Sequence, residues 1–527
     1  MSAFSVDPLT PSAFLARSGV VFAERTAIVD GQRSFTYREF AARARALTGV
    51  LAELGVRPGD RVAALCANSH VMLELHNGAP MAGAVLVSLN IRLAAEELGY
   101  IVSHSGAKAI VATQEFGELA RRLAGDAGIA VLVAGEAVSD SAGERDEYEQ
   151  RLAAAGPAVV EVADERQLLA LNYTSGTTGR PKGVMYHHRG AYLQALAMAY
   201  HARLDSDSRY LWTLPMFHCN GWCFTWAVTA AGGTHVCLRA VDPVEIWRLL
   251  REQAITHYSA APTVLAMIAG CPQAQGAPLA ADVHVDAGGA PPSPALLERL
   301  AALRMNVTHL YGLTETFGPI AINQWHSGWD GRAPGEQARL RARQGVGNVI
   351  ATPLRVIDEA GSEVAADGQT MGELAARGND VMLGYYRDAE ATAAATAGGW
   401  FRTGDLAVMH PDGYVELRDR RKDVIISGGE NIASVEIEQV IDSHPAVLES
   451  AVVARPDEKW GEVPIAYVTV RDGHSVTAAE LDRHVRASLA GFKSPKQFVF
   501  AELPKTSTGK IQKNVLRART AGAASVE

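Results

Sequence analysis

The residues with the clearest chemical pattern lie between positions 174 and 183, in the sequence TSGTTGRPKG. This stretch holds three glycines, four hydroxyl-bearing residues and Lys182, and it follows an apolar run at 168–173 that is typical of a strand. Glycines let backbone N–H groups converge on an anion, hydroxyl groups donate to phosphate oxygens, and a lysine adds a positive charge. The pattern therefore predicts a phosphate-binding loop.

Two better-known phosphate-binding motifs do not fit this stretch. Gly176 and Gly179 are too close together for the P-loop spacing, and a glycine follows Lys182 where that motif needs serine or threonine. The dinucleotide fingerprint also fails, because residues 345–350 place Ile350 where the third glycine belongs. The loop is therefore of another class.

Five segments, in the same order along the chain, resemble the signature motifs of the adenylate-forming superfamily. That superfamily includes acyl-CoA synthetases, aryl-CoA ligases, luciferases and peptide-synthetase adenylation domains. The segments are the loop at 174–183, YGLTET at 311–316, GWFRTGD at 399–405, DRRKD and SGGENI between 419 and 432, and PKTSTGK at 504–510. The resemblance covers nearly the whole chain and implies an enzyme, an ATP-dependent acyl-CoA synthetase of the kind used in fatty-acid metabolism.

The reaction that this resemblance implies has two steps. A carboxylate attacks the α-phosphate of ATP and gives acyl-AMP and pyrophosphate. The thiol of CoA then attacks the acyl carbon and gives acyl-CoA and AMP. The implied co-substrates are ATP, CoA and a small carboxylic acid, and the implied cofactor is Mg²⁺. Joining two anions requires positive charge and oriented N–H donors at the reacting phosphate.

The resemblance also assigns residues to the nucleotide. The implied ATP and AMP site comprises Thr174, Ser175, Gly176, Thr177, Thr178, Gly179, Lys182, Gly289, Ala290, Pro291, Tyr311, Gly312, Thr314, Asp405 and Arg420. Within this set, the loop would hold the β- and γ-phosphates, Thr314 would donate to the α-phosphate, and Asp405 would bind the ribose hydroxyls. Glu315 would hold Mg²⁺ as a hard oxygen ligand.

Four further positions carry the implied catalysis and domain movement. Lys510 would lie between the acid's carboxylate and the α-phosphate during adenylation, and its acetylation would remove that charge. Lys422 stands at the family's hinge position, about which a small C-terminal domain rotates. Gly428 and Gly429 would line the passage of the phosphopantetheine arm of CoA.

The segment PMFHCNGW at 215–222 matches the family's acyl-pocket segment. His218 would be a gate that closes over the carboxylate, while Gly221, Trp222 and Gly288 would shape the acyl cavity. The segment is similar to that of short- and medium-chain acyl-CoA synthetases, including methylmercaptopropionate-type ligases. Aryl-CoA ligases for benzoate or cinnamate share much of it and remain an alternative, and plain core packing remains an alternative for Trp222.

Functions other than that of a CoA ligase fit the sequence less well. An acyl-AMP ligase that loads a carrier protein is the main alternative within the superfamily, and a luciferase-like oxygenase ranks below it. A regulator without catalysis does not fit a chain that retains Lys182, Glu315, Asp405 and Lys510. Neither His187 with His188 nor Cys219 with Cys223 predicts a zinc site. The adjacent histidines point apart, and no second cysteine pair completes a tetrahedral site around Cys219 and Cys223 beside His218. The two histidines instead suggest a helix N-terminus, and Cys219 a small buried residue.

Alternating apolar strands and Ala- and Leu-rich helices position these residues. The pattern predicts strands at 61–66, 84–89 and 283–286, a helix at 70–83, and a helix that begins at Ser293 with Pro294 in its first turn. The expected fold is α/β, with a large N-terminal domain of βα subdomains around mostly parallel sheets. Residues 327–345 have little apolar periodicity and are expected to form a surface loop.

The pattern changes after the charged run at 418–423, which is the best linker candidate. Helices are expected at 434–443 and after a Thr477–Glu480 capping box, and strands at 449–454 and 463–470. These elements predict a small, mobile α+β domain. The predicted boundaries are 1–421 for the adenylating domain and 422–527 for the C-terminal lid domain.

Composition limits the class of protein. The chain has 527 residues, 48% of them hydrophobic, so it can bury a large core. With 49 basic and 58 acidic residues its net charge is −9, which argues against non-specific nucleic-acid binding. No apolar run is long enough for a membrane span, the N-terminus lacks a signal-peptide pattern, and the ending SVE is not a peroxisomal address. We expect a cytoplasmic enzyme, and a homodimer is compatible with the sequence.

Overall fold

The computed structural model describes residues 7–135, 146–174, 180–276, 278–427, 430–457, 459–505 and 511–523. The chain divides into two compact units. The first consists of Met1–Ala342, Gly347–Pro353 and Ala376–Phe401, and the second of Arg343–Val346, Leu354–Ala375 and Arg402–Glu527. The predicted residues Ser175–Gly179, Gly428, Gly429 and Lys510 lie outside the described ranges.

The first unit alternates strands with helices. Its strands are β1 (Thr26–Asp30), β2 (Arg33–Thr36), β3 (Arg61–Leu65), β4 (Val85–Ser88), β5 (Ala107–Thr113), β6 (Ala130–Ala134), β7 (Leu168–Thr174), β8 (Lys182–His187), β9 (Arg209–Leu211), β10 (Thr234–Val236), β11 (His257–Ala260), β12 (Val283–Ala287), β13 (Met305–Leu313) and β14 (Gly318–Ile322). Its helices are α1 (Ser12–Val21), α2 (Tyr37–Glu53), α3 (His70–Met81), α4 (Ala95–Ser105), α5 (Gly117–Ala127), α6 (Glu147–Ala154), α7 (His188–His201), α8 (Cys219–Trp222), α9 (Phe224–Ala231), α10 (Pro243–Glu252), α11 (Pro262–Gly270), α12 (Pro294–Ala302), α13 (Pro334–Ala342) and α14 (Ala389–Ala395).

These strands form two largely parallel sheets. One runs in the order β6-β5-β3-β4-β7-β8, with only the edge strand β8 antiparallel. The other contains the order β14-β13-β12-β11-β9-β10-β1-β2, in which β14 and β2 pair antiparallel and the strands between them pair parallel. The inner strands of both sheets are largely buried, as expected when helices cover both faces of a sheet. The predicted α/β class with mostly parallel sheets is confirmed.

The chain after α13 forms β15 (Val346–Gly347) and the elements of the second unit. These are β16 (Arg355–Ile357), β17 (Met371–Ala376), β18 (Phe401–Met409), β19 (Val415–Arg420), β20 (Ile425–Ser427), β21 (Glu430–Ile432), α15 (Ser434–Asp442), β22 (Val447–Asp457), β23 (Gly461–Val470), α16 (Ala478–Ser488), β24 (Gln497–Phe500) and α17 (Lys513–Ala523). One sheet has the order β16-β17-β18-β19, and the other the order β21-β20-β23-β22 with β24 beside β23. Three helices accompany the second sheet, so the C-terminal residues form the expected α+β fold.

Local sequence signals explain several helix ends. Ser293 caps α12 by accepting a hydrogen bond from the Leu296 N–H, and Pro294 occupies the first helical position. Thr477 and Glu480 form the predicted capping box at α16. The helix expected at 70–83 is α3, and the strands expected at 61–66 and 84–89 are β3 and β4.

Two expectations about irregular segments are wrong. Residues 334–342, within the expected surface loop, form α13, where Glu336 lies in the first turn and Arg339 and Arg341 in the last. These charges complement the helix dipole and favour a helix. The expectation of a loop considered only apolar periodicity, which this segment lacks. The linker expected at 418–423 is shorter, because β19 continues through Arg420 in register with Asp405 of β18.

Candidate active site

Strands β7 and β8 pair antiparallel, and the described ends of the phosphate motif lie on these two strands. Thr174, the last residue of β7, pairs with Lys182, the first residue of β8. The five residues between Thr174 and Arg180 are outside the described ranges. The Lys182 ammonium lies 3.6 Å from Asp388 Oδ2 and 4.9 Å from the centre of the Tyr385 ring. The half-exposed cation is thus held at the base of the loop by a carboxylate and an aromatic face.

Tyr385 also contacts the residue predicted to hold Mg²⁺. Its hydroxyl donates to Glu315 Oε1 at 2.8 Å, so one aromatic side chain connects Glu315 with Lys182. Burial raises the pKa of Tyr385, which keeps the hydroxyl protonated and able to donate. No sequence pattern marks Tyr385 and Asp388, because they lie about 70 residues beyond Glu315 in a stretch without a spacing signal.

Thr314 begins a single 3₁₀ turn, Thr314–Thr316, after β13. The Tyr186 hydroxyl donates to the Thr314 carbonyl at 2.6 Å, and the Cys219 thiol donates to Thr314 Oγ1 at 3.5 Å. Burial raises the pKa of Cys219 to about 12, so this thiol is protonated at neutral pH and is not a nucleophile. The expectation that Cys219 is a buried packing residue is confirmed.

His187 is the N-cap of α7, as expected from the adjacent histidines. Its Nδ1 accepts a hydrogen bond from the Gly190 N–H at 2.8 Å. Burial lowers the pKa values of His187 and His188 to about 4, which keeps both rings neutral at pH 7.

The acyl-pocket segment contains a left-handed turn. Five consecutive residues, Cys219–Cys223, have positive φ values between 47° and 63°, and only Gly221 among them is a glycine. Two tight backbone bonds close the turn, from Gly221 N–H to His218 O at 2.8 Å and from Cys223 N–H to Asn220 O at 3.2 Å. Left-handed geometry costs an L-residue roughly 1–2 kcal/mol, so the surrounding contacts must stabilise this turn.

Trp222 projects from this turn into a buried position between two glycines. A Cβ on Gly288 would lie 2.6 Å from the Trp222 ring, and one on Gly318 would lie 3.2 Å from its Cδ1 atom. Only 7% of Trp222 is exposed. Gly288 immediately precedes the exposed turn Gly289-Ala290-Pro291 at the carboxyl end of β12. The structure therefore brings Trp222 together with Gly288, and His218 lies half-buried one residue before the turn.

The predicted ribose-binding residues belong to the second unit. Asp405 and Arg420 face each other across β18 and β19, and Arg420 Nε lies 3.4 Å from Asp405 Oδ1. The Gly404 N–H donates to Glu373 Oε1 at 3.1 Å, which anchors β18 directly before Asp405. Lys422 lies exposed in the turn that follows Arg420.

Three kinds of comparison place the chain among known proteins. Residues 15–386 match the model of the AMP-binding enzyme family, and residues 436–510 match that of the AMP-binding enzyme C-terminal domain. A peroxisomal acetate/butyrate–CoA ligase of Arabidopsis thaliana is 44% identical over 97% of this chain and 94% of its own. A 2-methylpropanoate–CoA ligase of Humulus lupulus is 42% identical over 97% and 95%. The crystal structure of ATP-bound MatB from Rhodopseudomonas palustris superposes with a TM-score of 0.85 at 29% identity, covering 97% of this chain and 99% of that one.

Proposed function

Because the chain belongs to the AMP-binding enzyme family, in its adenylate-forming acyl-CoA synthetase branch, we propose that it activates a short- to medium-chain carboxylic acid. The acid and ATP give acyl-AMP and pyrophosphate, and CoA then converts acyl-AMP to acyl-CoA and AMP. The observation that carries this choice of acid is the buried position of Trp222 between Gly288 and Gly318. A large aromatic side chain there leaves room only for short acyl groups. The two relatives are named for acids of two to four carbons.

Adenylation brings a carboxylate to a triphosphate, so this site must supply positive charge and donors. Lys182 supplies a cation at the base of the phosphate loop. Thr314 Oγ1 accepts from Cys219, which leaves its own proton to donate to the α-phosphate. His218 would close over the bound carboxylate, and Asp405 with Arg420 would hold the ribose.

Glu315 fits a Mg²⁺ ligand. It is a partly buried carboxylate whose Oε1 is fixed by Tyr385, so the group is oriented before a metal arrives. Among the described residues, no group of three or more His, Cys, Asp or Glu side chains could form a metal site on its own. The single carboxylate of Glu315 suits Mg²⁺, because proteins commonly hold this ion with one or two carboxylates together with substrate phosphates and water. When bound, the metal would neutralise phosphate charge.

We assign the remaining roles to residues of the C-terminal segment. Lys510 would serve adenylation, Lys422 would be the hinge between the two reactions, and Gly428 and Gly429 would line the path of CoA in the second reaction. The boundary between 421 and 422, the movement about it and a homodimeric assembly remain predictions. The expected location is the cytoplasm. No helix within the described residues is long and apolar enough to cross a membrane.

The test is pyrophosphate release from ATP with a panel of acids, each with and without CoA. The panel runs from acetate through decanoate and adds methylthiopropionate, benzoate and cinnamate. We expect CoA-dependent turnover that is highest for a short aliphatic acid. Highest turnover with benzoate or cinnamate would instead identify an aryl-CoA ligase, and acyl-AMP formation without CoA turnover would identify an enzyme that loads a carrier protein.

A further inference from the structure

The left-handed turn Cys219–Cys223 contacts three residues that lie in, or directly beside, segments assigned to the nucleotide. Cys219 donates to Thr314, Trp222 packs on Gly288, and the Cys223 thiol donates to the Phe317 carbonyl at 3.7 Å. A turn that is strained by itself and held from several sides adopts one position. That position determines where His218 and Trp222 stand beside the nucleotide site.

Asn220 connects the same turn to β7, the strand that precedes the phosphate motif. Its Oδ1 accepts a hydrogen bond from Asn172 Nδ2 at 2.5 Å, and its backbone N–H donates to Asn172 Oδ1 at 3.2 Å. Asn172 lies in β7, two residues before Thr174, where the phosphate motif begins. A reciprocal pair of hydrogen bonds therefore joins the acyl-pocket turn to the strand that carries the phosphate loop.

The other side of Asn220 is fixed by a neutral histidine. Asn220 Nδ2 lies 3.0 Å from His76 Nε2, and His76 Nδ1 lies 2.7 Å from the Met72 carbonyl. Burial lowers the pKa of His76 to about 4, so at neutral pH Nδ1 carries the only ring proton and donates it to Met72. Nε2 must then accept from the Asn220 amide. The fully buried Asn220 thus needs an acceptor toward Asn172 and a donor toward His76, which an aspartate cannot supply without an added proton.

We propose that Asn220 is a positioning residue for adenylation, in addition to the residues assigned above. Through Asn172 it sets the distance between the acyl pocket and the phosphate loop, and so the approach of the acid's carboxylate to the α-phosphate. The inference rests on the proposed function. Reaction rates depend steeply on such alignment, and a displacement of about 1 Å can cost roughly 100-fold.

The first test is Asn220→Gly, because glycine adopts the required φ without strain and removes only the side chain. We expect the maximal rate of acyl-AMP formation to fall roughly 10- to 100-fold. The dissociation constants of ATP alone and of the acid alone should stay near the wild-type values. Thr225→Val is the matched control. It removes the hydrogen bond from Thr225 Oγ1 to the Asn220 carbonyl at 3.2 Å but leaves the Asn172 pair intact, so adenylation should persist.

The second test, Asn220→Asp, keeps the shape of the side chain and works even where the glycine variant does not fold. The introduced carboxylate has no proton to offer His76, but a proton shared between them at lower pH restores the bond. Adenylation by this variant should therefore recover relative to wild type as the pH falls from 8 to 6.

Each other outcome overturns the inference. Unimpaired adenylation by Asn220→Gly, or equal losses in binding and rate, would show that Asn220 does not align the substrates. A flat pH profile of Asn220→Asp relative to wild type would show the same. If the wild-type enzyme adenylates no acid, the proposed function fails and this inference fails with it. An active wild type with an unimpaired variant overturns the inference alone.

Discussion

At the scale of single residues, Trp222 decides the size of the acyl group in this account. Trp222→Ala would open space beside Gly288, so longer acids should gain relative to short ones. Because one methylene is worth about 10-fold or more in an apolar pocket, we expect the ratio of kcat/KM for hexanoate over acetate to rise at least about tenfold. Steady-state kinetics across the acid panel measures this ratio.

The control for this variant is Trp247→Phe. Trp247 is also buried, and its Nε1 donates to the Ile268 carbonyl at 2.9 Å, away from the acyl-pocket segment. It should change stability without changing the chain-length profile. A folded Trp222→Ala enzyme with the wild-type profile would show that Trp222 packs the core and does not bound the acyl cavity.

Asp380 gives the stability of the first unit a pH dependence. It is buried, its Oδ2 accepts from Asn348 Nδ2 at 2.9 Å, and its Oδ1 has no hydrogen-bond partner among the described residues. Burial raises its pKa to about 7, from 3.8. Below pH 3.8 the folded and unfolded chains both hold the proton. Between 3.8 and 7 only the folded chain does, so the stability that this group contributes declines as the pH rises and is lost above about 7.

Asp380→Asn should therefore stabilise the protein at pH 8 more than at pH 5. The amide can still accept from Asn348, and it never ionises. At about 1.4 kcal/mol per pH unit, the upper limit of the gain at pH 8 is about 4 kcal/mol. Thermal unfolding at both pH values measures the difference. A variant whose melting temperature changes equally at pH 5 and pH 8 would contradict the assigned ionisation.

At the scale of elements, periodic and capped segments could be predicted from the sequence, and contacts between distant segments could not. β3, α3, β4 and α12 follow from apolar runs and caps within a dozen residues. Helix α13 does not follow from apolar periodicity, because it buries only two side chains and its ends carry charged residues. The contacts of Tyr385 with Glu315 and of Asn172 with Asn220 could not be predicted. The two residues of each pair lie far apart in the sequence and come close only in the folded chain.

The same limit applies to the predicted site. The superfamily motifs identify every residue of the predicted site, but a motif does not show which contacts hold each residue in place. Asp405 and Arg420 form an ion pair because β18 and β19 pair in one register, which no local spacing reveals.

Helix α17 is held to the second unit by a buried ion pair. The Lys513 ammonium lies 2.7 Å from Glu438 Oε1 and 2.6 Å from Ser434 Oγ. Lys513→Met would leave the buried Glu438 carboxylate without its cation, at a cost of about 3–5 kcal/mol. We expect earlier unfolding of this unit in urea and faster proteolysis within α17. Adding Glu438→Gln should restore part of the loss, and a double variant no more stable than Lys513→Met would contradict the pairing.

At the scale of the whole molecule, the account requires rotation about Lys422 between two reactions. Lys422→Pro would fix φ near −65° and restrict this rotation, with Lys422→Ala as a control that removes only the charge. The proline variant should lose acyl-AMP formation and thioester formation unequally, and the alanine variant should retain both. Rapid-quench assays of each half-reaction measure this, and equal losses would rule out hinge restriction as the cause.

The proposed function requires that one chain carries out adenylation and thioester formation with different residues. Lys510 distinguishes the two reactions, since an ammonium at the α-phosphate stabilises the first transition state and has no role in the second. For Lys510→Ala we expect acyl-AMP formation from ATP and acid to fall roughly 10²–10³-fold, by analogy with the loss of one preorganised donor. The conversion of supplied acyl-AMP and CoA to acyl-CoA should remain close to wild type. A comparable loss in both half-reactions would contradict the account.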